Sequence, residues 1–179
     1  LTIALMVIVN SPGSWDAIYD PFKHASWHGF TITDMVFPSF LFVVGNAMSF
    51  SLGKFSKENN NVFLIKVFRR TLIIFLIGLF LNTFPFVKLT ESGEYTVIDF
   101  TAIRIFGVLQ RIALCYCAAA LVLHYFSTRG AIAFSLVALF GYWAVMYFFG
   151  ESGDPYSLSG NAAVKLDLWL LNPANLYKG

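Results

Sequence analysis

The stretch GAIAFSLVALFGYWAVMYFFG, Gly130 to Gly150, holds no charged residue and is bounded by Arg129 before it and Glu151 after it. A bilayer core of about 30 Å takes ~20 apolar residues as a helix, because in lipid every backbone N–H and C=O has to be satisfied within the segment itself. This stretch therefore predicts a membrane-crossing helix, and with it an all-α, polytopic transmembrane helix bundle. Composition points the same way. Of the 179 residues 58% are hydrophobic and 12% charged, where soluble domains run near about 25% charged, and the mean hydropathy is +0.69. So few charges do not cover a water-facing surface, which excludes a disordered chain, a nucleic-acid binder and an ordinary cytosolic enzyme.

Working outward from that run, the preceding one, Ile105 to Phe126, contains Gln110 and Arg111, and only Ser127 to Gly130 separates the two, a tight turn that makes them antiparallel neighbours. A third run, Val62 to Phe86, confines Lys66, Arg69 and Arg70 to its first turns. A fourth, Ile32 to Gly53, is broken by Asp34 near its start and Pro38 in its second turn, and Leu1 to about Asn10 reads as the truncated remainder of another. That makes about five spans. The segment Val164 to Leu171 is too short to cross and is expected at the interface, with Trp169 as its anchor. Residues 1–179 are expected to be the N-terminal part of one longer multi-span domain, with C-terminal spans missing.

The net charge of +2 matters less than where the cations lie. Lys54, Lys57, Lys66, Arg69 and Arg70 gather in one connection against a single acid, Glu58, so the Lys54–Arg70 connection is expected in the cytoplasm and the His24 loop in the periplasm. No Asn-x-Ser/Thr acceptor occurs, which favours a bacterial inner membrane over a glycosylated lumenal surface. Cys115 and Cys117 lie in an apolar run and are read as packing side chains rather than a disulfide.

Polar and ionisable groups in or beside a span are costly, so each is a functional candidate. With this orientation Asn10, His24, Asp34, Gln110 and Arg111 share one depth. The residues alone leave Asp34 two roles, a partner that fixes an imidazole or one half of a buried ion pair with Arg111. His24 and His28 are spaced i, i+4, a metal-ligand spacing on a helix, but no Cys lies nearby, no carboxylate falls between them, and His124 lies near the opposite face; no metal is expected. Gly45, Asn46 and Ser49 are read as permitting close helix packing.

The segment FKHASWHG (22–29), followed by DMVFP (34–38) and FLFVVG (40–45), resembles the heparan-alpha-glucosaminide N-acetyltransferase family of transmembrane acyltransferases, and IRIFGVLQR (103–111) is similar to a second block of that family. The closing NLYKG (175–179) looks like the approach to a third. The resemblance implies a multi-pass membrane enzyme that takes acetyl from cytosolic acetyl-CoA and passes it to the amino group of a terminal glucosamine or related glycan on the other side. It aligns the family's active histidine with His24 and a nearby asparagine with Asn10. Membrane lipid is an expected partner, nucleic acid is not, and a homodimer is implied by the resemblance only. His28 stands where other members carry Asn, and the connection Ser11 to Lys23 is longer than in relatives.

Acetyl transfer needs a neutral amine, an acceptor for its proton and stabilisation of the carbonyl oxyanion. His24 is expected to act as general base or to carry the acetyl group itself, Asn10 to donate to the carbonyl or to the histidine, and Asp34 to set the imidazole tautomer or pair with Arg111. Trp27, His28, Gln110 and Arg111 are the expected substrate contacts. Lys66, Arg69 and Arg70 are expected to hold the phosphates of CoA. The alternatives from other classes are a transporter or exporter component with a polar midplane path, and a membrane scaffold without catalysis.

Overall fold

The computed structural model describes residues 2–14, 16–55, 59–89, 93–97, 103–171 and 175–176, with the main chain alone at 52–55 and 88–89. Among these residues the α-helices are α1 (Thr2–Asn10), α2 (Val36–Phe55), α3 (Asn60–Thr83), α4 (Val108–Tyr125), α5 (Thr128–Phe149) and α6 (Ala162–Leu170). A single antiparallel ribbon, β1 (Val87–Leu89) with β2 (Tyr95–Val97), pairs Val87 with Val97 and Leu89 with Tyr95. The protein is an all-α membrane protein. Three segments are long and apolar enough to cross a bilayer: Thr33–Ser51, Val108–Tyr125 and Thr128–Phe149.

That is fewer than the five spans read from the sequence. Helix α1 has 9 residues, less than a whole span, as expected of a remainder. Helix α3 has 24 residues, about 36 Å at 1.5 Å per residue, and starts at Asn60, so Lys66, Arg69 and Arg70 fall in its second and third turns. The apolar remainder from Thr71 to Thr83 is then about 20 Å long. Lys57 and Glu58, on which the sidedness reading partly rests, lie outside the described residues.

The chain forms two compact units, Leu1–Phe55 and Ser56–Gly179. In the first, α1 packs against α2 and against a short 3-10 turn, Thr33–Met35, that leads directly into α2. Pro38 is the third residue of α2, where a helix has no partner for its N–H groups and a proline costs nothing. Gly45 makes no close helix contact: a Cβ built there meets nothing within 4 Å.

In the second unit α3 and α4 run antiparallel. His124, in the last turn of α4, stacks on Phe63 with ring centroids 3.8 Å apart and meets Asn60 Oδ1 at 3.0 Å. Arg70 lies over the ring of Tyr116, 5.1 Å from its centroid, and Gly78 faces Gln110 at the far end. The seam on α4 is Gln110, Ala113, Tyr116 and Ala120, all buried, and its alanines let the helices approach closely. His124 thus takes part in a helix-end contact.

Gly78 is the tightest point of that seam. An added Cβ would sit 2.7 Å from Gln110 Oε1 and 2.9 Å from Leu109 Cβ. In an open helix Gly→Ala gains about 0.5–1 kcal/mol, but here overpacking costs about 1–3 kcal/mol. Gly78→Ala is therefore expected to lower the thermal unfolding midpoint of the detergent-solubilised protein. A midpoint at or above that of the unchanged chain contradicts the packing.

Helix α5 begins at Thr128, with Ser127 as N-cap accepting from Gly130 N at 3.3 Å, so the turn from α4 is tighter than the four residues expected. None of its side chains is buried, as suits a helix that faces lipid. The polar stretch after Gly150 is ordered: Glu151 N donates to Gly160 O at 2.8 Å, and Asn161, 2% exposed, caps α6 by accepting from Val164 N at 2.9 Å. Trp169, read as an anchor, is 80% exposed on α6.

Candidate active site

In the first unit the chain leaves α1 at Asn10, makes a 3-10 turn over Asp20–Phe22 and passes through His24 before entering the turn that carries Asp34. Residues 24–28 form no helix, so the i, i+4 spacing of His24 and His28 does not put them on one helical face. Gly29 has φ +132, a conformation that glycine adopts without steric cost, and it turns the loop back toward α2.

That reversal brings His24 onto Asp34. Nδ1 of the ring lies 2.7 Å from Asp34 Oδ1. The other carboxylate oxygen accepts three hydrogen bonds, from Thr31 N and Thr31 Oγ1, both at 2.9 Å, and from Ala25 N at 3.3 Å. An ionised carboxylate is acceptor-only, so in the neutral ring the nitrogen facing it is the one that carries the proton, and Nε2 is the one with the lone pair. The His24 side chain is 72% exposed and that of Asp34 26%. Asp34 therefore orients a ring whose reactive nitrogen is open. Of the two roles the residues leave open for Asp34, the contact with the imidazole lies within this unit.

A third contact belongs to the same arrangement. Thr33 is buried, 5% exposed, and its hydroxyl donates to Phe22 O at 2.7 Å. Lys23, beside His24, pairs with Asp20 at 2.9 Å on the surface. The sequence reading singles out neither Thr31 nor Thr33, since a threonine at the mouth of a span carries no pattern of its own; only the Thr-x-Thr-Asp run at the helix entry hints at capping.

The remaining candidates are placed as follows. Asn10 ends α1, is exposed, and makes no side-chain hydrogen bond among the described residues. Trp27 is 45% exposed and His28 is exposed. In the second unit Arg111 is exposed, whereas Gln110 is 1% exposed with neither amide atom hydrogen-bonded, enclosed by Gly78, Gly107 and Asn82. Lys66, Arg69 and Arg70, spaced i, i+3, i+4, share one flank of α3 and are all exposed; no acid occurs in α3 or α4. That flank is the described cationic surface best suited to an anionic ligand.

Residues 1–164 match the family profile described as heparan-alpha-glucosaminide N-acetyltransferase, catalytic. Heparan-alpha-glucosaminide N-acetyltransferase of Homo sapiens is 31% identical over 120 residues, 65% of this chain and 16% of the human protein. The Mus musculus protein of the same name is 30% identical over 120 residues, again 65% and 16%. The match thus spans about a sixth of the length of these relatives.

Proposed function

Since the chain belongs to the heparan-alpha-glucosaminide N-acetyltransferase catalytic family, we propose that it is part of an integral membrane acyltransferase. It moves an acetyl group from cytosolic acetyl-CoA to the amino group of a terminal glucosamine or related glycan on the outer, periplasmic side. The observation that carries the reading is the exposed His24 ring held at Nδ1 by Asp34, 2.7 Å away.

The chemistry follows from that ring. Acetyl-CoA and the amino sugar are the two substrates. By one route Nε2 takes the proton that the amine loses as its nitrogen bonds to the thioester carbonyl, while the C–S bond breaks and the thiolate of CoA leaves. By the other, Nε2 itself bonds to the carbonyl carbon, the thiolate leaves, and the amine then displaces the imidazole from the acetyl group, the freed Nε2 taking up the proton that the amine loses. Both routes build positive charge on the ring, which the anionic Asp34 stabilises. Asn10 donates to the carbonyl oxygen as negative charge develops on it. Trp27, His28 and Arg111, all accessible, contact the substrates, and Lys66, Arg69 and Arg70 attract the phosphates of the donor on the cytosolic side. The acetyl group crosses and the nucleotide does not.

The test is sided. The full-length protein reconstituted in vesicles, with acetyl-CoA in the compartment facing the basic end of α3 and glucosamine confined to the other, is expected to accumulate N-acetylglucosamine only where the acceptor is. Product formed only when both substrates share one compartment contradicts the proposed sidedness, and no product in any arrangement contradicts the reaction.

A further inference from the structure

His24 has little to rest on. With its ring 72% exposed, packing does not fix the side chain, and its position depends on Asp34 and on the backbone to either side of it. That backbone is pinned at two points that bracket the residue: Phe22 O accepts from Thr33 Oγ1 at 2.7 Å, and Ala25 N donates to Asp34 Oδ2 at 3.3 Å. Both pins come from one short element, the turn Thr33–Met35, whose last residue adjoins the first residue of α2. The three contacts to residues 22–25, at Phe22 O, the His24 ring and Ala25 N, are thus made by two consecutive side chains at the head of a membrane helix.

The pin at Phe22 differs from the others in kind. Asp34 touches the ring directly, whereas Thr33, itself buried, touches only main chain. Without its hydroxyl the Phe22 carbonyl loses its donor and the segment leading into His24 is held at one side only, so the ring can still meet Asp34 but no longer from one fixed direction. Reaction rates fall steeply with such misplacement, about 10²-fold for ~1 Å.

We propose that Thr33 is a positioning residue for His24: its buried hydroxyl clamps the Phe22 carbonyl to the turn that carries Asp34 and so fixes where the imidazole is presented. This rests on the reading of His24 as the reacting imidazole. Thr31 has the complementary task, since its N–H and hydroxyl hold Asp34 Oδ2 and leave Oδ1 for the ring.

The test compares Thr33→Val, which keeps the shape and removes the donor, with Thr33→Ser, which keeps the donor. In the full chain Thr33→Val is expected to lower kcat about 10- to 100-fold and to leave the KM for acetyl-CoA within about twofold, since the clasp bears on the ring and not on the donor's phosphates. Thr33→Ser is expected within about threefold of the unchanged protein. A Thr33→Val protein with unchanged kcat, or a Thr33→Ser protein as impaired as Thr33→Val, overturns the proposal.

A second readout does not need turnover. In 15N-labelled protein in micelles, the His24 Nδ1–H signal, assigned by its loss in His24→Ala, is expected to be protected in the unchanged protein and in Thr33→Ser, and lost to solvent exchange in Thr33→Val. Equal protection in Thr33→Val overturns the clasp whatever the rates do. Full activity of His24→Ala would instead remove the role of the imidazole, and the exchange measurement would still decide the clasp.

Discussion

His24→Ala is expected to lower amide formation by at least about 10²- to 10⁴-fold, the range that a positioned proton acceptor contributes, and to background if the ring carries the acetyl group. The substitution is clean because the ring is 72% exposed: little packing is lost. Asp34 also keeps three of its four hydrogen-bond contacts, those from Ala25 and Thr31, so its carboxylate is not left bare and the larger penalty of an unsatisfied buried acceptor does not arise. The unfolding midpoint and the affinity for CoA are therefore expected to stay near those of the unchanged protein, the basic flank of α3 being untouched. The measurements are initial rates with saturating acetyl-CoA, equilibrium binding of CoA, and thermal unfolding in the same detergent. A mutant that keeps a tenth or more of the rate ends the assignment of His24. The same variant separates the two routes: on the covalent one, acetyl-labelled donor leaves label on the unchanged protein with a matching burst of free thiol, and His24→Ala shows neither.

The helices that face lipid were the most legible part of this chain, and for a simple reason. Along Gly130 to Gly150 apolarity is demanded on every side of the helix, so the run needs no periodicity to be recognised, and α5 has no buried residue to complicate it. Helix α3 was harder because length and apolarity disagree there. Its 24 residues suffice to cross, but Lys66, Arg69 and Arg70 interrupt the apolar run, and where the helix begins decides how deep they lie. The seam between α3 and α4 was legible only in part: Ala113 and Ala120 announce close approach, whereas the burial of Gln110 depends on Gly78, thirty-two positions earlier. Local hydrogen-bond geometry was the least legible. The order along Glu151–Asn161 comes from side chains bonding to nearby backbone, and the stretch's polar composition reads as a plain loop. At the site itself, the residues name His24 and Asp34 and offer their pairing as one of two alternatives, because nine intervening residues have to reverse direction before the two can meet, and no residue pattern excludes Arg111 as the partner. Thr33 was invisible for the same reason, its carbonyl acceptor lying eleven residues back.

Asp34→Asn is expected to lower turnover by about 10²- to 10⁴-fold while the protein folds normally, and the cause is the direction of three hydrogen bonds. Thr31 N, Thr31 Oγ1 and Ala25 N all donate to the same oxygen, Oδ2. A carboxamide in this place satisfies them only with its carbonyl oxygen there, because its NH2 accepts nothing. The NH2 group is then turned toward His24 Nδ1, at the position where Oδ1 lies 2.7 Å away. Facing a donor, Nδ1 must become the acceptor, so the ring's proton moves to Nε2 and the lone pair needed for either route is occupied. Loss of the negative charge also removes stabilisation from the imidazolium that forms during transfer. In Ser-His-Asp triads the corresponding exchange costs about 10⁴-fold through the wrong tautomer; a ring as exposed as His24 can rotate away from the carboxamide, which is why the lower end of the range applies as well. The checks are kcat with both substrates saturating and the 15N shifts of the His24 ring, which report which nitrogen bears the proton. Turnover within about threefold of the unchanged protein, or a ring still protonated at Nδ1, would show that Asp34 does not govern the imidazole through its acceptor geometry. The unfolding midpoint should move little, since the bonds that hold the Thr31 turn survive; a large fall would mean that the hydrogen bond between Asp34 and His24 holds the loop in place.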